Sequence, residues 1–256
     1  MGFVPHIPDW QYASYRQAAA PIVLDMKQGD VNGDGVPDLV YLIGNKPDGP
    51  TGIFADQITL AIQDGSTQKI SRVHLQNNSG YNAQLFLGDV NKDRVADIWI
   101  SIETGGSGGY GIFYIYSFRN NDLNELFNVQ QYNEQHQFKV NYEDLYKVGV
   151  GSPQLDVLFT LDISYRGYDY LSQYYNEQGK LKQPVEGEVL SMGALYPIVT
   201  DLKSMSYDLL AFQRIIGTSN ADTLGYVENL LSWGGTAFIS SRLSASIPGT
   251  KLIALY

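Results

Sequence analysis

Two short stretches of the chain place oxygen-bearing side chains at positions 1, 3, 5 and 9 of one loop pattern, displaced by 59 residues (Asp30 to Asp89). The first reads Asp30-Val31-Asn32-Gly33-Asp34-Gly35-Val36-Pro37-Asp38 and the second Asp89-Val90-Asn91-Lys92-Asp93-Arg94-Val95-Ala96-Asp97. Alternation of this kind lets a tight loop turn its oxygens toward one hard cation. Ca²⁺ takes about six to eight oxygen ligands at about 2.3–2.6 Å and tolerates irregular geometry. Position 7, Val36 or Val95, would add its backbone carbonyl. The pattern thus predicts two Ca²⁺ sites and an internal repeat.

An EF-hand would need a bidentate Glu at position 12 and flanking helices. Position 12 is Tyr41 in one loop and Ile100 in the other. The residues that follow, Leu39–Ile43 and Ile98–Ile102, are β-branched and aromatic runs that read as strands. Each loop therefore joins one strand to the next. Asp, Asn and Gly also populate ordinary turns, but two turns matching over nine residues in one repeat register argue for more than turn chemistry.

The repeat extends beyond the loops. Gly52-Ile53-Phe54 recurs as Gly111-Ile112-Phe113, and Gly29-Asp30 as Gly88-Asp89. One further step leads to Asp156 before the apolar run Val157–Leu161, with Val148, Val150 and Ser152 in place of the ligands. A fourth copy spans Asp201 to Asp208 before Leu209–Phe212. Units of this length accommodate four short strands and their turns. The second unit offers strands at Gln84–Leu87, Asp97–Ile102, Tyr110–Ser117 and Leu123–Phe127. Helical periodicity is confined to a short helix over Trp10–Ala20, and Leu252–Tyr256 reads as a last strand. These features predict an all-β chain forming a single β-propeller over residues 1–256, with repeat units at 21–79, 80–138, 139–190 and 191–256. Four blades is the first count and five the second.

Over Gly29–Phe54 and Gly88–Phe113 the chain resembles the FG-GAP or VCBS-type repeats of integrin-α-like propellers and of bacterial surface and secreted proteins. That resemblance implies Ca²⁺ held by Asp30, Asn32, Asp34, Val36 and Asp38 in one blade and by Asp89, Asn91, Asp93, Val95 and Asp97 in the next. Arg94 departs from the pattern where the first loop has Gly35. A glycine accepts positive φ at such a bend without a Cβ penalty, and an arginine adds a competing cation. The second site is expected to be the weaker.

The length and the 44% apolar content allow one domain with a substantial core. No apolar run reaches the roughly 18 residues of a membrane span, and the amino terminus shows no signal-peptide pattern. Cysteine is absent, so no disulfide speaks for an oxidising compartment. Moderate calcium affinity points instead to an extracellular, cell-surface or spore-surface setting, where Ca²⁺ is abundant. The net charge of −10 argues against nucleic acid.

Catalytic signals are weak. Gly105-Gly106-Ser107-Gly108-Gly109 matches a nucleophile elbow, but a strand follows where that motif needs a helix. The same glycines offer a G-x-G-x-x-G match with no helix to receive a pyrophosphate. His6, His74 and His136 lack zinc spacing. The tyrosines at 165, 168, 170, 174 and 175 read first as sheet packing and second as a platform for a glycan or surface-protein ligand. The expected function is a non-enzymatic calcium-binding module for binding or structure. The alternative is a polysaccharide-active hydrolase or lyase using a pair such as Asp162 and Glu186.

Overall fold

The computed structural model describes residues 21–203 and 205–249. The expected helix over Trp10–Ala20, the expected strand Leu252–Tyr256 and His6 lie outside the described residues. What is described is nearly all β, organised as four antiparallel meanders. The first holds β1 (Ile22–Gly29), β2 (Asp38–Asn45), β3 (Phe54–Gln63) and β4 (Ile70–His74). The second holds β5 (Gly80–Gly88), β6 (Asp97–Glu103), β7 (Gly111–Ser117) and β8 (Asn124–Asn128), and ends in the short helix α1 (Val129–Gln135). The third holds β9 (Lys139–Glu143), β10 (Lys147–Ser152) and β11 (Val157–Asp162), with α2 (Tyr168–Tyr174) after it. The fourth holds β12 (Glu186–Ile198), β13 (Asp208–Ile216), β14 (Thr223–Trp233) and β15 (Phe238–Ser246).

Apolar residues at every second position decide how the meanders stack. Val40 and Leu42 of β2, Leu60 and Ile62 of β3, Ile98, Ile100 and Ile102 of β6 and Tyr114 of β7 form one core between the first two meanders. The alternate residues of the second meander, Trp99, Phe113 and Ile115, meet Met192, Leu195, Leu209, Ala211 and Leu231 of the fourth. Strands β6 and β7 are therefore buried on both faces, which is why they read as continuous apolar runs. Along β13 the residues Leu209, Ala211, Gln213 and Ile215 share one face; the first two belong to that second core and Ile215 to a third. The third core joins Val140, Tyr142, Val148, Val150 and Leu161 to Val227 and Leu224 of the fourth meander.

The propeller expectation is corrected by this arrangement. The meanders do not stand as separate blades around an axis. The start of β3 pairs with the start of β5, at Phe54–Tyr81 and Ala55–Gly80, merging the first two units into one sheet. Residues Glu186–Glu188 of β12 pair with β9, merging the last two into another. One of the two sheets is nearly closed and barrel-like. The packing order is also not circular: among the described residues the cores join the first unit to the second, the second to the fourth and the fourth to the third. A propeller would pack each unit on its sequence neighbours. The fourth unit starts at Glu186 rather than 191, because β12 is long enough to serve both β9 and β13.

Asp38, Asp97 and Asp208 each open the second strand of a meander with a buried carboxylate, and Asp156 directly precedes β11. In the third unit, Val148, Val150 and Ser152 are strand residues of β10, so the metal-type loop has shrunk to a turn.

Candidate functional site: the twin acidic loops

Each nine-residue loop closes a hairpin on a Gly–Asp pair, Gly29–Asp38 between β1 and β2 and Gly88–Asp97 between β5 and β6. Inside, the oxygens at positions 1, 3, 5 and 9 accept backbone N–H groups in the same order. In the first loop Gly33 N and Gly35 N donate to Asp30 (2.7 and 2.9 Å), Asp34 N to Asn32 Oδ1 (2.9 Å), and Val36 N to Asp34 Oδ1 (2.8 Å). Val31 N and Asn32 N donate to Asp38 Oδ2 (2.9 and 3.3 Å). In the second loop Asp93 N and Arg94 N donate to Asp89 (3.2 and 3.0 Å), Asp93 N also to Asn91 Oδ1 (3.0 Å), and Val95 N to Asp93 Oδ1 (2.9 Å). Val90 N and Asn91 N donate to Asp97 Oδ2 (2.9 and 3.2 Å). The motif is thus a self-sufficient lattice of side chain-to-backbone bonds. The buried Asp38 and Asp97 satisfy N–H groups that would otherwise be stranded.

The two loops are neighbours: a Cβ on Gly33 would stand 2.9 Å from Val95 Cγ2. Both dock on turns of other strands. The Asp64–Thr67 turn between β3 and β4 caps the first loop, with Gly65 N donating to Asp38 Oδ1 (2.9 Å) and the Ser66 hydroxyl donating to Asp34. Asn120 N donates to Asn32 O (2.8 Å). Arg119 pairs with Asp93 Oδ2 (3.2 Å) in the second loop. Lys92 pairs with Asp208 Oδ1 (3.4 Å), and Tyr207 N donates to Asp89 O (2.8 Å), tying the second loop to the fourth unit. The cation set against the second loop's carboxylates is therefore Arg119, in place of the Arg94 named from the pattern. Sequence inspection missed these partners, since Asp64-Gly65 signals only a turn and nothing in spacing pairs Lys92 with Asp208.

Electrostatics differ between carboxylates. The Ser66 hydroxyl, helped by Val36 N–H, holds Asp34 below the usual carboxylate range. Burial pushes Asp97 up to about 7, against the pull of the Val90 and Asn91 N–H groups, and Asp93 and Asp89 add repulsion.

The other sequence candidates resolve differently. Gly105–Gly109 is the hairpin turn between β6 and β7, closed by Thr104 N to Tyr110 O (3.2 Å). Its Ser107 carbonyl accepts from Arg214 Nη2 (3.0 Å) and its hydroxyl from Asn220 Nδ2 (3.3 Å). Asp162 ends β11 in an ion pair with Lys147, and Glu186 opens β12. Strands β10 and β9 lie between them, roughly 14 Å of sheet at about 4.8 Å per strand, beyond the about 5–9.5 Å over which two glycosidase carboxylates cooperate. Tyr170 and Tyr174 pack on the third core and Tyr175 is buried in it, while Tyr170 donates to Asp222 Oδ2 (2.7 Å) and carries Arg166 over its ring at 4.9 Å. These three tyrosines serve packing; Tyr168 is exposed.

Two continuous antiparallel sheets with self-bonded acidic loops at strand junctions define an all-β class distinct from separate-bladed propellers. Residues 136–246 match the family model described as the YybI C-terminal domain. The chain is 40% identical over 251 residues to the uncharacterized protein YybI of Bacillus subtilis (strain 168), covering 98% of this chain and 93% of that relative. The chain belongs to the YybI family. This overturns the resemblance to FG-GAP or VCBS repeats, whose family models do not match. The resemblance arose from two loops outside the matched segment, each of which satisfies its own backbone.

Proposed function

We propose that this protein is a non-enzymatic module for binding or structure at a cell or spore surface, and that its twin loops take Ca²⁺. The observation that carries the reading is a closely similar oxygen lattice built twice, on adjacent loops, with three carboxylates in each. The donor set suits a hard cation. Among the described residues no three acidic or imidazole groups close into a ready cage, and the loop oxygens already accept N–H groups. A carboxylate offers about four acceptor sites, so Asp30, Asp34, Asp89 and Asp93 retain capacity beyond those bonds. The loops would thus hold their fold alone and accept calcium with affinity near the 10⁻⁴–10⁻³ M typical of extracellular modules. In the second loop Arg119 competes for Asp93, which makes that site the weaker.

Calorimetric titration of the full chain with CaCl₂ tests this. Two weak binding events are expected, the tighter lost in Asp34→Ala and the weaker lost in Asp93→Ala. Absence of calcium-dependent heat in the unsubstituted protein would reject calcium binding. Fractionation of the source cells or spores, followed by detection of the protein inside rather than at the surface, would reject the location.

A further inference from the structure

We infer that a polar cavity where the three cores meet, between α1, β7 and β12, binds an aliphatic diamine or polyamine. It measures about 680 Å³, within the roughly 300–1,000 Å³ of small-ligand sites. Ile112 of the first core, Val129 of the second, and Phe138 and Val189 packed on the third form its apolar walls. Asn133 Oδ1 accepts from Met192 N (2.9 Å) and holds α1 against β12.

One polar side chain is buried at this junction with half of its amide unmatched. Strand β12 shifts register between Val189 and Met192, and Gln213 of β13 reaches into the gap. Its Nε2 donates to Leu190 O (3.2 Å) and His136 O (3.1 Å). Carbonyls only accept, so the amide nitrogen must face them and the amide oxygen must face away. That Oε1 is buried without a partner, on a residue only 3% exposed that lines the cavity. A stranded buried acceptor is costly, and a ligand N–H supplies the missing donor. His136 offers a second acceptor. Its Nδ1 faces Tyr132 O (2.9 Å) and so carries the hydrogen, burial favours the neutral ring, and Nε2 keeps its lone pair.

Charge then sorts the ligands. Glu134 and Glu188 line the cavity, and no lining residue is Lys or Arg. Lys139 stands opposite Glu188 in the β9–β12 register but lines a separate groove over β10. Arg214 is engaged by the carbonyls of Ser107 (3.0 Å) and Asn220 (2.6 Å). Unmatched acceptors beside carboxylates favour an ammonium, which carries three N–H donors and bonds carboxylates strongly. Among the described residues no three acidic or imidazole groups gather for a metal, so an extended cation that spans the acceptors fits where a single ion does not. Its methylene stem lies against the apolar walls, as a lysine stem does on a protein surface. The cavity shares no residue with the acidic loops.

The test is an NMR titration of the ¹⁵N-labelled full chain, in excess CaCl₂, with cadaverine, spermidine, pentanediol and tetramethylammonium. Cadaverine or spermidine is expected to shift the amides of Asn133, His136 and Ser191 and the side-chain amide of Gln213. Pentanediol, which has the chain without the charge, and tetramethylammonium, which has the charge without an N–H, should leave them in place. Glu134→Gln combined with Glu188→Gln, both exposed positions, should weaken binding at least about fivefold with the melting temperature unchanged. No shift at these amides with either amine, equal shifts with pentanediol or tetramethylammonium, or unchanged affinity in the double variant would overturn the site. Shifts confined to Asp30–Asp38 and Asp89–Asp97 would overturn it too, by assigning the amine to the acidic loops.

Discussion

Arg94 and Lys92 hold φ at +70° and +65°, the bend that Gly35 and Gly33 make at +84° and +82°. A side chain in that region costs roughly 1–2 kcal/mol, tolerated here because Asp89 accepts Arg94 N and Lys92 reaches Asp208. Arg94→Gly is therefore expected to stabilise the protein by about 0.5–1 kcal/mol after the loss in unfolded-chain entropy, read from urea denaturation. An unchanged or lower midpoint would show that the Arg94 side chain contributes more than its backbone costs. Asp38→Ala should act in the opposite direction. It strands the N–H groups of Val31, Asn32 and Gly65, costing about 2–4 kcal/mol. The loop pattern was legible at this scale, residue for residue; that its oxygens were already occupied by backbone N–H groups was not, because the same spacing serves an Asx lattice and a cation.

Elements were legible where periodicity was strong. The expected strands Asp97–Ile102 and Leu123–Phe127 fall within one or two residues of β6 and β8. The helices α1 and α2 were not foreseen, since each has only seven residues, too few to establish a periodic face. Two predictions belong here. A Cβ on Gly65 would lie 2.2 Å from Pro37 O, so Gly65→Ala must push the β3–β4 turn off the first loop, costing about 1–3 kcal/mol and raising hydrogen exchange at Val31 and Asn32. An unchanged melting temperature would contradict the clamp. The other concerns α1. His136, its C-cap, stacks on Tyr132 at 3.9 Å and is held below the ordinary imidazole value by burial, although the Tyr132 carbonyl opposes this. The native state therefore favours neutral imidazole. Its contribution is present above about pH 6.5 and is lost as pH falls through the lower native value. His136→Gln should flatten the stability profile across that interval, and an unaltered acid limb would assign it to other groups.

For the whole molecule, the sequence period suggested short antiparallel strands in series but not how the meanders assemble. The feature that decides topology is the length of β12, thirteen residues that reach both β9 and β13, whereas the spacing of the sequence divides this strand between two units. Equally, the alternation Ile98, Trp99, Ile100 was visible, yet only packing reveals that it feeds two separate cores. The order that results places the acidic loops of the first two units side by side and ties the second to Asp208 of the fourth. Calcium at these loops would thus stabilise a junction shared by three units, by about 2.7 kcal/mol per site at a hundredfold excess over Kd. Hydrogen exchange with and without EGTA tests this most directly. The account predicts that chelation raises exchange across Asp30–Asp38 and Asp89–Asp97, most at the first loop, while β10 and β11 keep their protection. Equal protection of both loops in the two conditions would contradict it.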